Sequence, residues 1–440
     1  MKNIFCALKK VIFLSLLALY ASLQPAAAQN FATASSLPVG SNPYCVAVAD
    51  VNGDGKPDLI SANQLDNTLT VLTNDGAGNF IFASTNIVGN QPTFVLAADV
   101  NGDGKPDLIS ANYNDNSLTV LTNNGDGTFT FSATITNVDE EPINVVMVNA
   151  NGGAPVDLVS ANSGTNTLTV LTNDGTGNFI FSQTLTVGTS PLSGPSVAAA
   201  DVNGDGLLDL ISANYNENSL TVFTNNGHGT FIFCENLNVG NAPSVTAADV
   251  NGDGKPDLIC ADYGDDNVIV LTNNGDGTFT ASSTNAVGQE PFWVTTADVN
   301  GDGKADIITP NYDENDVTVL TNNGDGTFTF SSTNSVGNNP DFVVAADLNG
   351  DGATDLVTAN FNQNNLSLLL NLPTPPTLKI RLNNASNATV SWLPAWPGYQ
   401  LQQNSNLGTT NWNNVSNPSG TNHVTISPLT GNKFFRLRHP

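Results

Sequence analysis

The chain has 440 residues, with 12 Lys and Arg against 39 Asp and Glu, a formal net charge of -27, and 40% apolar residues. A balance this acidic excludes nucleic acid and anionic lipid as natural partners, because both need Lys or Arg to neutralise them. It invites cations instead.

At the N-terminus, Lys2, Lys9 and Lys10 precede or flank the run VIFLSLLALYASL, which ends a few residues before Ala26, Ala27 and Ala28. That order is the pattern of an export leader over residues 1–28, cleaved after Ala28. Its 13-residue run is too short to cross a bilayer, and no later stretch reaches about 18 apolar residues. The expectation is a soluble monomer, secreted or at the cell surface. Cys6 leaves with the leader; Cys45, Cys234 and Cys260 have no metal or redox spacing and read as small buried apolar residues.

Residues 29–372 hold four cationic side chains against all 39 carboxylates, a balance of -35, and consist of one unit repeated seven times. The unit's loop begins at Asp50, Asp99, Asn149, Asp201, Asp249, Asp298 and Asp347, at spacings of 49, 50, 52, 48, 49 and 49 residues. Within a unit, runs such as FVLAADV, DLISAN, SLTVLTN and FTFSATI are short, rich in β-branched or aromatic residues, and separated by Gly and Asn turns. Nothing in the unit carries the 3.6-residue period of a helix. Four antiparallel strands repeated seven times make an all-β, seven-bladed β-propeller. The seventh unit stops at Pro373 without a fourth strand, and FATASSLPVG at 31–40 matches a fourth strand with its exit turn. The N-terminal strand is therefore expected to close the last blade.

The loop between the first two strands is ADVNGDGKPDLI in the first unit, with oxygen-bearing side chains at positions 1, 3, 5 and 9. These are Asp50, Asp99, Asp201, Asp249, Asp298 and Asp347 at position 1, and Asn52, Asn101, Asn203, Asn251, Asn300 and Asn349 at position 3. Position 5 holds Asp54, Asp103, Asp205, Asp253, Asp302 and Asp351; position 9 holds Asp58, Asp107, Asp209, Asp257, Asp306 and Asp355. Lys56, Lys105, Leu207, Lys255, Lys304 and Ala353 at position 7 offer backbone carbonyls, and the four lysines are expected to point outward. Calcium takes six to eight oxygens, which alternate residues of a tight loop can supply. An EF-hand is rejected, because position 12 is Ser61 and a strand follows. Ordinary Asx turns favour the same residue types, but a turn does not need three carboxylates. Six calcium ions are expected. In the third copy, Asn149–Asp157, Asn149 and Gly153 replace two of the carboxylates, so that site is expected to be vacant or weak.

On the opposite face, turns such as ANYNDN and PNYDEN present Tyr113, Tyr215, Tyr263, Tyr312 and Phe361, and Phe94, Trp293 and Phe342 lie in the segments leading into the first strands. Aromatic faces beside amides and carboxylates suit neutral sugars or a protein partner; the other reading is that these rings only pack between blades. No base and nucleophile pair is visible and the propeller has no Arg, which argues against an enzyme. A polysaccharide-cleaving lyase or hydrolase stands as the alternative.

After the stiff PTPP linker at 373–376, residues 377–440 carry five cations and no acid and alternate apolar with polar residues, as in ATVSW. A small β-sandwich is expected, with Trp392, Trp396, Tyr399, Trp412, Phe434 and Phe435 in its core.

The segments VAVADVNGDGKPDLISAN and LTVLTNDGAGNF, with the VG before each new blade, resemble the FG-GAP/VCBS repeat family, similar to the integrin α-subunit head and certain fungal lectins. The resemblance implies calcium-binding propellers and leaves function open, since the family hosts adhesion, lectin and lyase activities. The tail resembles fibronectin-like C-terminal modules of secreted bacterial proteins.

Overall fold

The computed structural model describes residues 31–151, 156–188, 197–240, 244–372, 377–383, 387–393, 400–404, 412–415, 423–427 and 434–438. The expected leader, the linker at 373–376, Trp396, Tyr399 and the middle of the third loop lie outside the described residues.

Each repeat forms one antiparallel sheet. In blade one the strands are Pro43–Ala49, Asp58–Asn63, Thr68–Asn74 and Phe80–Ile87, hydrogen-bonded in that order from the ring axis outward. Seven such four-stranded sheets make the propeller. In the seventh, Ser35–Pro38 pairs with Asn365–Leu369, Ser35 opposite Leu368 and Pro38 opposite Asn365, and Phe31 bridges Asn371. The chain's two distant segments thus share one blade, and the ring has no open edge between its ends.

The second strand of every blade, DLISAN or its equivalent, is buried at all six residues. Neighbouring blades cover both faces of the sheet, so the strand cannot alternate apolar with polar residues toward solvent. Its polar side chains must then be paired inside. Ser61 Oγ donates to Asn63 Oδ1, and Asn63 Nδ2 donates to Thr68 Oγ1 and Thr70 Oγ1. The glycine of the VG dipeptide lies against this asparagine: the Gly40 amide donates to Asn63 Oδ1 at 3.1 Å, and a Cβ on Gly40 would come within 2.6 Å of the Asn63 side chain.

The position-9 carboxylate is the inner joint of each blade. Asp58 Oδ2 accepts the Val51 amide at 3.0 Å and Oδ1 accepts the Asn74 amide at 2.8 Å, joining the loop to the end of the third strand. All seven blades repeat this pair, including blade three, where Asp157 takes the amides of Ala150 and Asn173 at 2.9 and 2.8 Å. The third-strand asparagine then reaches outward. Asn74 Nδ2 donates to the carbonyls of Pro57 in its own loop and Leu348 in blade seven, while its Oδ1 accepts the Gly76 amide. Six of the seven asparagines cross in this way to the preceding blade's loop.

A second set of links lies on the other face. Asn67, Asn116, Asp266, Asn315 and Asn364 take left-handed backbone angles in the turns after the second strands. Their side-chain oxygens accept the amides of Gln91, Glu141, Glu290, Asn339 and Asn42, each in the next blade. Asn364 to Asn42 closes the ring on this side as Asn74 to Leu348 does on the other.

The C-terminal segment forms two three-stranded sheets, which share a core of Val390, Trp392, Leu401, Val415, Val424 and Ile426. Phe435 packs against that core, but Trp412 stays partly exposed under the Arg436 guanidinium, 4.4 Å from the ring centre. The cysteines Cys45, Cys234 and Cys260 are free thiols; the first and last are buried.

Two substitutions test these joints. Asn74→Leu removes three hydrogen bonds and is expected to cost about 3 kcal/mol, read as a lower urea midpoint at an unchanged slope. Asp157→Ala strands two buried amides and is expected to cost about 3 kcal/mol or more whether or not a divalent cation is present. A cost that vanishes in chelator would mean that Asp157 is a metal ligand rather than a backbone acceptor.

Candidate metal centre

Gly53 and Gly55, at positions 4 and 6 of the first loop, have φ of +76° and +83°, and a Cβ on either would meet nothing within 4 Å. Backbone conformation, rather than space, demands glycine there. The bend it permits wraps backbone amides around the position-1 carboxylate. Asp50 Oδ1 accepts the amides of Gly53 and Asp54 at 2.8 and 3.1 Å, and Oδ2 accepts Gly55 at 2.8 Å. Asn52 Oδ1 accepts the Asp54 amide, and Asp54 Oδ1 accepts the Lys56 amide. The loop at Asp249 repeats every one of these bonds.

Position 3 stands beside position 9 in three of these loops. The position-3 amide nitrogen stands 3.5 Å from the position-9 carboxylate in the pair Asn101 and Asp107, and 3.4 Å in Asn251 with Asp257 and Asn300 with Asp306. Burial raises the position-9 carboxyls Asp58, Asp107, Asp209 and Asp257 above the usual range, two backbone amides pull each back, and the charges at positions 5 and 1 raise it again. In Asp306 and Asp355 the same balance reaches about 7. Among the described residues, no three carboxylate, imidazole or thiol groups stand in a ligating arrangement. The donor set nevertheless fits a hard cation, because each carboxylate oxygen that accepts one amide keeps a lone pair, and the amide and carbonyl oxygens add neutral donors.

The degenerate third loop differs as its composition requires. Asn149 Oδ1 is buried with no hydrogen-bond partner, while Asp157 keeps its two backbone bonds. The single acid retained there is the one with an architectural task.

The position-7 lysines do not point outward. Each folds across the hairpin between third and fourth strands, so that a Cβ on Gly76, Gly125, Gly275 or Gly324 would strike the Lys56, Lys105, Lys255 or Lys304 side chain. Lys56 pairs with Asp54 at 3.2 Å, and the other three reach their own position-5 Asp at 3.7–3.8 Å. Lys255 and Lys304 also donate to the carbonyls of Asn274 and Asn323. Half-exposed pairs of this kind contribute little stability; their effect is to tie loop to hairpin.

On the opposite face the turn aromatics Tyr113, Tyr215, Tyr263, Tyr312 and Phe361 are all half-buried. Tyr215 meets Tyr263 at 5.9 Å between ring centres, Tyr263 meets Phe292 at 5.6 Å, and Phe292 meets Tyr312 at 5.9 Å, while Tyr44 packs on Phe361 at 5.9 Å. The rings thus both pack between blades and leave a partly open aromatic arc. Burial, and then the neighbouring carboxylates Glu141 and Glu290, raise the hydroxyls of Tyr113 and Tyr263 above their usual range. Tyr44, Phe292 and Asp341 belong to this group and were not singled out from the sequence; the signal they shared was the proline before each.

Trp293 is a correction to the expected ligand face, together with Phe94 and Phe342. Trp293 stacks on Phe342 at 4.1 Å and 29°, and Phe94 meets Phe342 at 5.9 Å. Phe94 and Phe342 lie in the innermost strands of blades two and seven, and Trp293 lies just before that of blade six; Phe342 shares one core cluster with Cys45 and Val46, and the half-buried Phe94 and Trp293 pack against it. Only the ring axis lets them meet, so they fill the centre of the propeller.

An FG-GAP-like repeat model matches the chain six times, over residues 50–110, 99–152, 156–212, 201–260, 249–309 and 298–358. No curated protein matches. Among solved structures, BBS1N in complex with ARL6DN is 14% identical with a TM-score of 0.55, covering 78% of this chain and 98% of that one. Sqt1 of Saccharomyces cerevisiae is 12% identical, TM-score 0.52, over 79% of this chain and 100% of that one. A catalytically inactive virginiamycin B lyase from Staphylococcus aureus, solved with quinupristin, is 13% identical, TM-score 0.53, over 78% and 100%. At these identities the likeness extends to the fold alone. Six matched repeats spanning most of its length show that the chain belongs to the FG-GAP-like repeat family, built as a seven-bladed β-propeller.

Proposed function

We propose that the chain is a secreted or cell-surface, calcium-stabilised propeller that binds a glycan or a surface protein, with about six calcium ions structural in the blade loops. The leader-like N-terminus supports export. The observation that carries the binding reading is the aromatic arc: a partly open line of Tyr and Phe rings beside Asn, Asp and Glu, on the face away from the acidic loops.

In the loops, Asp, Asn and Asp at positions 1, 3 and 5, the position-7 carbonyl and the position-9 Asp would hold the ion. Bound calcium supplies charge neutralisation there. Asp50 and its equivalents already order the loop backbone, and Asp58 and its equivalents already join loop to third strand. The ion-binding residues therefore sit on elements that are fixed without help from the ligand face.

Three measurements test this reading. Metal counting on the purified chain should give about six calcium ions, and substitution at positions 1 and 5 of one intact loop should remove one; seven ions would contradict the reading of the third loop. The ion-free chain should also respond to pH with a definite sign. Asp306 and Asp355 titrate at about 7 when folded, so between about pH 4 and 7 the folded state holds more protons than the unfolded one and stability falls as pH rises. Excess calcium should abolish that fall, and a chelated sample that gains stability over this interval would count against the proposal. A glycan and protein array, read in calcium and in chelator, should show capture that weakens when Tyr263 or Tyr312 is changed to Ala. Turnover of a polysaccharide would overturn the binding-module reading.

A further inference from the structure

In blades one, two, three and seven the innermost strand opens with a proline, and the residue after it is the extra residue of a bulge: Tyr44, Thr93, Ile143 and Asp341. A bulge re-aims its extra side chain out of the alternation of the strand. Ring contacts show where that position points. Phe292, after Pro291, lies between Tyr263 of the preceding blade and Tyr312 of its own. Tyr44, after Pro43, lies against Phe361 of the preceding blade, blade seven. By the same repeat, Asp341 lies between Tyr312 before it and Phe361 after it. Its charge adds to burial in raising the hydroxyls of both Tyr44 and Tyr312, which places it close to both.

Asp341 is 4% exposed, and among the described residues no hydrogen bond or ion pair reaches its carboxylate. Burial alone pushes its pKa well above the ordinary carboxylate range. Residues 31–372 offer it no counter-ion: their lysines are Lys56, Lys105, Lys255 and Lys304, all committed to loops on the other face, and this stretch has no Arg. A desolvated carboxylate without a partner is costly unless a proton or a cation neutralises it. Aromatic rings around it favour one kind of cation, a weakly hydrated organic one that ring faces attract.

We propose that this break in the aromatic arc is a site for an alkylammonium group, with Asp341 as counter-ion and the rings of Tyr44, Tyr312 and Phe361 as its walls. The proposal deepens the reading of this face as the binding face and rests on it. A neutral sugar would use the same rings without needing an unpaired carboxylate among them. An alkylammonium uses both.

Calorimetric titration of the full chain in excess calcium, at constant ionic strength, tests the site with tetramethylammonium as probe and tert-butanol as an uncharged probe of similar shape. Tetramethylammonium should bind at about millimolar Kd, and tert-butanol should not. Asp341→Asn should weaken tetramethylammonium at least about tenfold while its thermal midpoint stays level or rises, because an uncompensated buried charge has been removed. Tyr312→Phe should bind within about twofold of the parent, since the ring remains. No heat with tetramethylammonium, equal affinity in Asp341→Asn, or equal binding of tert-butanol would each overturn the proposal. Array capture by both the parent and Asp341→Asn, with no response to tetramethylammonium, would sink the ammonium site and leave the broader binding reading standing.

Discussion

Each blade depends on one buried carboxylate that accepts two backbone amides. Asp58 and its six equivalents are fully buried, with one oxygen on the loop and the other on the end of the third strand. A charged acceptor in so dry a setting is tolerated because both oxygens are satisfied, and it gives those amides partners that water cannot reach. The loop that would hold a cation is thus pinned at its ninth residue by the architecture itself. This is also why blade three, having lost the acids at its first and fifth positions, still keeps Asp157. A bound cation would ask for the same residue type at the same place as blade assembly does, for a different reason.

Ring closure follows from small polar groups repeated at matching heights. On the loop face, third-strand asparagines reach the preceding blade; on the turn face, left-handed Asn and Asp residues accept amides from the next. Both sets run across the junction of blades seven and one, as the N-terminal strand does. Single hydrogen bonds of this kind contribute only about 1 kcal/mol each, but their repetition fixes the relative height of adjacent sheets. The two faces then have separate tasks. Lysines and the carboxylates of positions 1, 5 and 9 gather on the loop face, while the turn face carries rings, amides, acids such as Glu141, Asp266 and Glu290, and the unpaired Asp341.

Much of this was legible in the sequence because a repeat exposes its own logic. Seven copies separate what the unit requires from what one copy happens to hold, so strand number, blade number and the acidic loop could be read directly. The N-terminal closing strand was legible from its likeness to the other fourth strands, and it pairs as Ser35–Pro38 with Asn365–Leu369. The lysines misled because a sequence shows a charge in a loop but not the neighbouring hairpin, whose glycines leave room for the side chain to lie down. Trp293 misled for a related reason: its segment leads into a strand at the turn face, but its ring turns to the axis and stacks on Phe342.

The sequence by itself determined the fold class, the number of blades and the residue types able to meet a hard cation, because strand patterning and loop chemistry are local and were written seven times. Only the tertiary structure decided which of those residues carry the ring and which face outward. It made Asp58 a joint as well as a candidate ligand, sent Trp293 to the axis, and set Asp341 in a line otherwise made of rings. The reason is physical: hydrogen-bond and ring partners lie 24 or more residues away in the chain, in another blade, and which side chain meets which is settled only when the sheets pack around a closed ring.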